Sequence, residues 1–407
     1  MGYNKIKRVK IIITVFIIAV CIFVIFAYYS SRMPKPLSFQ NKIQHKLIWE
    51  KEFSEKITSY WDISQYGELI CANNQSNIYF MNINSGNIIK KIFIDKKSYK
   101  TILIINKKNI YTIINNKLLY ILDSRTGQMK KNIKNNKEML YEDYVISYEN
   151  YLIFLKDNGK TTVIDINNES TTNKQVLMPT SSIESFSLFN GNIYYSKNGY
   201  NVYAVELDKL NQLWSYDIGH NKATSKPILL DGKVYLQIDE NIVIFNPYNG
   251  KIIDDFLIDV SEIYTDGKSL YANTPELLMK INKDTGDILW QLKSKVISFS
   301  FKYDENHIYF ESAKQPLFIK IDKNTGSIIW KSDLRDFSFD IKKVSSTSKY
   351  DIIERNDGYI FILDKNTGEK LWRFNNTVDK ENLGWKVYDN KLIIFDGLNK
   401  FYAYDLN

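Results

Sequence analysis

Beyond residue 30 the apolar positions come in short runs. Between Trp214 and Gly250 the chain reads KPILLD, GKVYLQID and NIVIFN; between Trp290 and Gly326 it reads VISFSFKYD, HIYFES and PLFIKID. Partial period-two alternation within each run is the pattern of half-buried strands. Asp-Gly, Asn-Gly or Asn-rich stretches separate the runs, and Asp231-Gly232 and Asn190-Gly191 suit two-residue hairpin turns. No segment after residue 30 holds a 3.6-residue period, so the pattern predicts an all-β domain.

One run breaks this pattern. Ile11 to Tyr29 is nineteen residues without a charge, preceded by Lys5, Lys7, Arg8 and Lys10. At 1.5 Å per residue this length just spans a hydrocarbon core of roughly 30 Å. The run ends in Phe26-Ala27-Tyr28-Tyr29, with no small-residue cleavage site. It predicts a single-pass signal anchor in the cell membrane, with its basic end in the cytoplasm and the rest of the chain outside. A lipobox-like reading of Ile18-Ala19-Val20-Cys21 fits less well, because Val20 is a poor residue before the cysteine and the apolar run continues to Phe26. The expected organisation is a cytoplasmic N-terminus (1–10), an anchor (11–29), a stalk with Pro34 and Pro36 (30–44) and a β domain (45–407).

The strand runs are organised by a repeat. NKDTGDILW ends at Trp290, DKNTGSIIW at Trp330 and DKNTGEKLW at Trp372. The acid or amide four residues before the glycine recurs at Asn82, Asp123, Asp165, Glu206, Asn246, Asn282, Asp322, Asp364 and Asp405. A period near 40 residues with short strands is that of one four-stranded blade per unit. The glycine column reads Gly86, Gly127, Glu169, Leu210, Gly250, Gly286, Gly326 and Gly368. The tryptophan column reads Trp49, Lys90, Lys131, Asn173, Trp214, Asp254, Trp290, Trp330 and Trp372. The β domain begins with the second half of a motif, at Trp49, and the chain ends with the first half, at Asp405. Pairing the two ends would close a ring and remove the open edges of the sheet array. Nine units are counted; eight blades is the alternative, if one weak unit within residues 90–173 is not a separate blade. In the motif the glycine permits φ > 0, Asp, Asn and Thr bond local backbone, and the indole is a large plate for packing between blades.

This motif and its period resemble the PQQ-like β-propeller repeat and its tryptophan-docking motif, over about residues 45–407. The residues that carry the resemblance are Trp49, Trp214, Gly286, Trp290, Gly326, Trp330, Gly368 and Trp372. The resemblance implies a disc of radial four-stranded antiparallel blades. It also implies one of two roles. Non-enzymatic members are binding scaffolds, including outer-membrane assembly lipoproteins. Quinoprotein dehydrogenases bind pyrroloquinoline quinone and calcium and typically carry an adjacent cysteine pair. The only cysteines here are Cys21 and Cys71, and no residues match that branch's catalytic base or calcium ligands, so the cofactor does not transfer with the repeat.

Composition narrows the picture further. The net charge of +8 is concentrated at the start: residues 1–36 hold six bases and no acid, leaving 48 bases against 46 acids in the remainder. A near-neutral body argues against nucleic-acid binding. His45, His220 and His307 lie in different units with no second ligand at metal spacing. Asp322-x-Asn324-x-Gly326 has its glycine one place too early for an EF-hand loop and reads as a turn. Trp61 and Trp385 lie outside the motif column and read as core or inter-blade packing. No catalytic, cofactor-binding or metal-ligating residue is assigned. The expected function is a membrane-anchored scaffold for a protein or envelope component, with a PQQ- and calcium-dependent dehydrogenase as the alternative. The candidate binding surface is the face carrying the links between blades (95–100, 134–143, 177–184, 218–226 and 375–383) and the turns at 157–160, 273–276 and 355–358, because these segments are longer and more varied.

Overall fold

The computed structural model describes residues 42, 43 and 45–407, apart from 65–66, 74–76, 94–100, 106–108, 115–117, 135–143, 156–159, 169, 176–185, 198–199, 220–225, 295–300, 313–316, 334–340 and 376–383. The expected anchor, Cys21, His220 and most of the expected loop-face segments lie outside the described residues. Among the described residues no helix is long and apolar enough to cross a membrane.

The strand runs fold as the alternation predicts. Thirty-six described strands form nine four-stranded antiparallel sheets, each an up-and-down meander. Numbered in chain order, blades 1 to 8 span residues 57–93, 101–134, 144–175, 186–217, 228–257, 262–293, 302–332 and 341–375. Blade 9 takes three strands from 384–405 and its outer strand, Leu47–Glu52, from the start of the domain. In several successive blades the first strands lie against one another, which places them innermost around the axis. The fourth strands form the rim.

The ring closes through this ninth sheet. Trp49 pairs with Ala403, Glu50 with Tyr402 and Lys51 with Phe401. His45 stands at the position the motif gives to glycine, and Lys46 accepts the Asp405 amide at 2.9 Å, so the two half-motifs rejoin in space. The preceding residues are also tied down: the amides of Lys42 and Ile43 donate to the Leu371 carbonyl of blade 8 at 2.8 and 3.3 Å.

The core is not one mass. It divides into nine buried clusters, and each one fills the seam between two neighbouring blades. Ile70, Ile78 and Phe80 of blade 1 meet Ile110, Tyr120 and Leu122 of blade 2. The last seam joins blade 9 to blade 1 through Ile393, Phe395 and Phe401 against Leu69, Cys71 and Met81. Each blade therefore buries both of its faces only when both neighbours are present, the logic of repeat architectures in general. Closure should be chemically trappable. Cysteines at the paired positions Glu50 and Tyr402 (E50C/Y402C) are expected to oxidise to a disulfide, because cross-strand partners lie about 4.5–5.5 Å apart at Cα. A reducible mobility shift on a denaturing gel, absent from either single variant, reads it out; no cross-link would contradict closure at this sheet.

Candidate functional site

The repeat turns are held by the side chain of the motif's own acid or amide. The Asp322 carboxylate accepts the amides of Asn324 and Thr325 at 2.9 and 2.8 Å and the Thr325 hydroxyl at 3.1 Å. Asp364 does the same with Asn366 and Thr367. These hydrogen bonds, the Thr325 and Thr367 amides foremost, hold both carboxyls below the usual carboxylate range. The glycine amide closes the turn onto the carbonyl of the same acid, at 3.0 Å for Gly326 and 2.9 Å for Gly368. Among the described residues no group of three His, Cys, Asp or Glu side chains is placed to hold a metal ion.

The glycine has a second reason to be there. It adopts φ +70° at Gly326 and +71° at Gly368, and its bare α-carbon is the floor on which the tryptophan of the preceding blade lies. A Cβ added at Gly326 would sit 2.7 Å from the Trp290 ring, and one at Gly368 2.7 Å from Trp330. Trp49 covers Gly86 and Trp214 covers Gly250 in the same way. Each indole N–H then donates to the carbonyl that follows the motif acid: Trp49 to Ile83 and Trp214 to Pro247 at 2.8 Å, Trp290 to Lys323 and Trp330 to Lys365 at 3.0 Å. Trp372 faces the split motif and meets the His45 and Tyr404 rings at 5.7 and 5.2 Å.

A β-bulge aims these side chains. In eight blades the outer strand carries one extra residue immediately before the docking position. Leu289 is skipped between the pairs Ile281–Ile288 and Lys280–Trp290, and Ile329 between Ile321–Ile328 and Lys320–Trp330. Ile89, Lys130, Leu213, Ile253, Leu371 and Ile48 occupy the same place. Blade 3, which has Glu169 and Asn173 in the motif columns, pairs without a break. The bulge bends the strand and turns the next side chain toward the neighbouring blade.

The degenerate units keep the contact by other means. Lys131 stands in the tryptophan column, and its ammonium donates to the Ile166 carbonyl at 2.9 Å, the bond an indole makes elsewhere. In blade 5 the column residue Asp254 is exposed; Phe256, two residues on, covers Gly286, whose added Cβ would lie 2.8 Å from that ring. Leu210 replaces the glycine of blade 4 yet keeps φ +52°. Its side chain is buried in the seam between blades 3 and 4, where blade 3 offers Asn173 instead of tryptophan.

Three further arrangements are candidates for chemistry. Between blades 7 and 8 the Tyr309 hydroxyl lies 2.7 Å from Asp304 and 2.9 Å from Asp351, while Lys320 pairs with Asp351 at 2.8 Å and His307 with Asp304 at 3.0 Å. Lys320 and Asp351 are fully buried, so their ion pair ties the seam together, while Asp304 and His307 lie half-buried at its edge. Around the axis, the inner strands of blades 8, 9 and 1 bring Lys343 over the Trp385 ring at 4.2 Å, Lys386 against Asp62, and the Trp385 N–H onto Glu354 at 2.8 Å. Trp61 joins them, edge-on to Phe401. The third is a cleft of about 740 Å³ between blades 4 and 5, lined by Tyr216, Ile218, Ile238, Val243 and Ile252 with Asp239, Glu240 and Asn241. The rim itself is apolar: Ile88 and Ile89, Ile252 and Ile253, Ile288 and Leu289, and Ile328 and Ile329 are exposed in their outer strands.

These features define a closed nine-bladed β-propeller in which docked tryptophans lock five of the seams between blades. A family model described as outer membrane protein assembly factor BamB matches residues 259–350, which span blades 6 and 7 and the first strand of blade 8. The repeat is therefore that of the PQQ-like β-propellers. Among solved structures, the computationally designed Ika8 protein is 12% identical, covers 89% of this chain and 100% of its own, and superposes with a TM-score of 0.51. BamB from Moraxella catarrhalis is 12% identical with the same coverages and a TM-score of 0.47. KlHsv2 with its loop 6CD replaced by a Gly-Ser linker is 13% identical, covers 66% of this chain and 93% of its own, and gives 0.39. No curated protein matches the chain.

Two measurements follow. Gly326→Ala should cost about 2–4 kcal/mol in unfolding free energy, because the methyl group both strains φ and displaces Trp290. Gly191→Ala has a similar φ but nothing within 4 Å, and should cost only about 1 kcal/mol. Equal losses in thermal or denaturant melts would remove the docking role of the glycine. Second, burial pushes the Lys343 ammonium down to about 8, with Glu354 partly opposing. The folded chain then binds fewer protons than the unfolded one from about pH 8 to about 10.5, so stability should rise with pH across that window. Melting of Lys343→Met should lack this rise.

Proposed function

We propose that the chain is an extracytoplasmic, membrane-anchored propeller that binds a protein of the cell envelope and performs no catalysis. The observation that carries this reading is the rim. Exposed aliphatic pairs recur two and three residues after the motif glycines of blades 1, 5, 6 and 7. Exposed aliphatic side chains repeated on the rims of three successive blades, 5, 6 and 7, are the kind of apolar surface that marks an interaction site. Leu257, 83% exposed, adds an apolar side chain at the far end of the same strand of blade 5.

The bulge defines how such a rim binds. It interrupts the regular edge at the second residue of the strand, which discourages long strand addition and edge-to-edge aggregation. The bulged aliphatic residue instead stands out as a knob for side-chain docking. The uncharged run 11–29 supports tethering at a membrane. The description of the family model matched by blades 6 and 7, an outer membrane assembly factor, supports a role in assembly and not in turnover.

The test uses the full chain in mild detergent as bait for envelope extracts. Proteins retained by the natural sequence should be lost by a rim variant carrying Ile253→Lys, Leu289→Lys and Ile329→Lys, whose melting temperature should be unchanged because all three side chains are exposed. No retained protein across salt conditions, or retention indifferent to the rim variant, would overturn the reading.

A further inference from the structure

The cleft between blades 4 and 5 has a character of its own. Its floor is apolar: Ile218, Ile238 and Val243 are buried, and Ile252 lies at its open side. Its mouth is acidic. Asp239 and Glu240, exposed in the turn between the second and third strands of blade 5, form part of the lining. Asp255 pairs directly with Val243 across the sheet, so its exposed carboxylate shares the face that looks into the cleft. No lysine or arginine is among the lining residues.

Such a site selects against anions and against purely polar cations. The carboxylates of Asp239 and Glu240, with Asp255 beside them, focus a negative potential at the mouth of a low-dielectric hollow, while the floor gains free energy only from an apolar side chain that leaves water. The turn that carries Asp239 and Glu240 also fixes the position of the acids. Asp239 holds φ +48°, and its carbonyl accepts the Gln237 amide group, which bonds the Val260 carbonyl at 2.6 Å as well.

We propose that this cleft binds an extended basic peptide segment, in which one aliphatic side chain enters the hollow and flanking lysines or arginines meet the acidic mouth. The proposal rests on the scaffold reading in one respect, that the ligand is part of a protein; the cleft borders the rim at Ile252, but none of the three rim residues substituted above is in its lining.

The probe is a capped peptide of two lysines, a leucine and two lysines, titrated calorimetrically into the full chain in mild detergent. Binding is expected, weakening with added salt as surface electrostatics are screened. The double variant D239N/E240Q should weaken it about tenfold, and Ile252→Ser should weaken it severalfold, each with unchanged melting temperature. The same peptide with serine for leucine should bind no better than the double variant does. Equal binding of a glutamate-for-lysine peptide, affinity indifferent to D239N/E240Q, or no heat at millimolar peptide would each overturn the proposal. Retention of envelope proteins through the rim is scored independently, so loss of the cleft reading and loss of the scaffold reading give different results.

Discussion

The contact of an indole plate with the bare α-carbon of the next blade's glycine is the constraint on which the ring depends. No blade has a core of its own; each buries its faces in two seams. Whatever fixes the angle between neighbours therefore fixes the whole disc. The docked tryptophan does this with three terms at one point: apolar area removed from water, an indole N–H bonded to a carbonyl 33–35 residues away, and a turn already rigid through its Asx hydrogen bonds. The bulge before the tryptophan makes the approach possible, since a regular strand would send that side chain elsewhere.

Seen this way, the degenerate blades are variations on one requirement. Lys131 supplies the donor without the plate, Phe256 the plate without the donor, and Leu210 fills the seam from the opposite side. The seam between blades 7 and 8 adds a buried Lys320–Asp351 pair with Tyr309 and Ser346 bonded to the same carboxylate. A seam needs filled volume and satisfied donors, and several side-chain sets meet that need. Motif conservation within the chain can therefore lapse without loss of the blade.

Much of this was legible in the chain. The 40-residue period predicted the nine sheets, and the half-motifs at Trp49 and Asp405 predicted the closing pair. The glycine at the turn was predicted from φ > 0; that it is also the floor beneath Trp290 or Trp330 was not, because the tryptophan belongs to the preceding unit and only the stacking of blades brings the two together. The column alignment pointed to Asp254 where Phe256 does the packing, since a fixed offset in sequence ignores where a side chain can reach. The search for chemistry along the chain found no catalytic set. The cleft at Tyr216 and Val243 could not be found that way, as its walls come from different blades.

The sequence by itself determined the strand alternation, the turn chemistry, the number of units and the closing pair of half-motifs, because each of these rests on residues near one another in the chain or on a simple period. Tertiary structure alone decided which side chains dock, which substitutes serve in the worn repeats, where the rim exposes its aliphatic pairs and where acid and apolar surface meet in one cleft. Those properties belong to seams between blades, and a seam is built from residues some 30–50 positions apart whose contact follows from blade geometry and not from local preference.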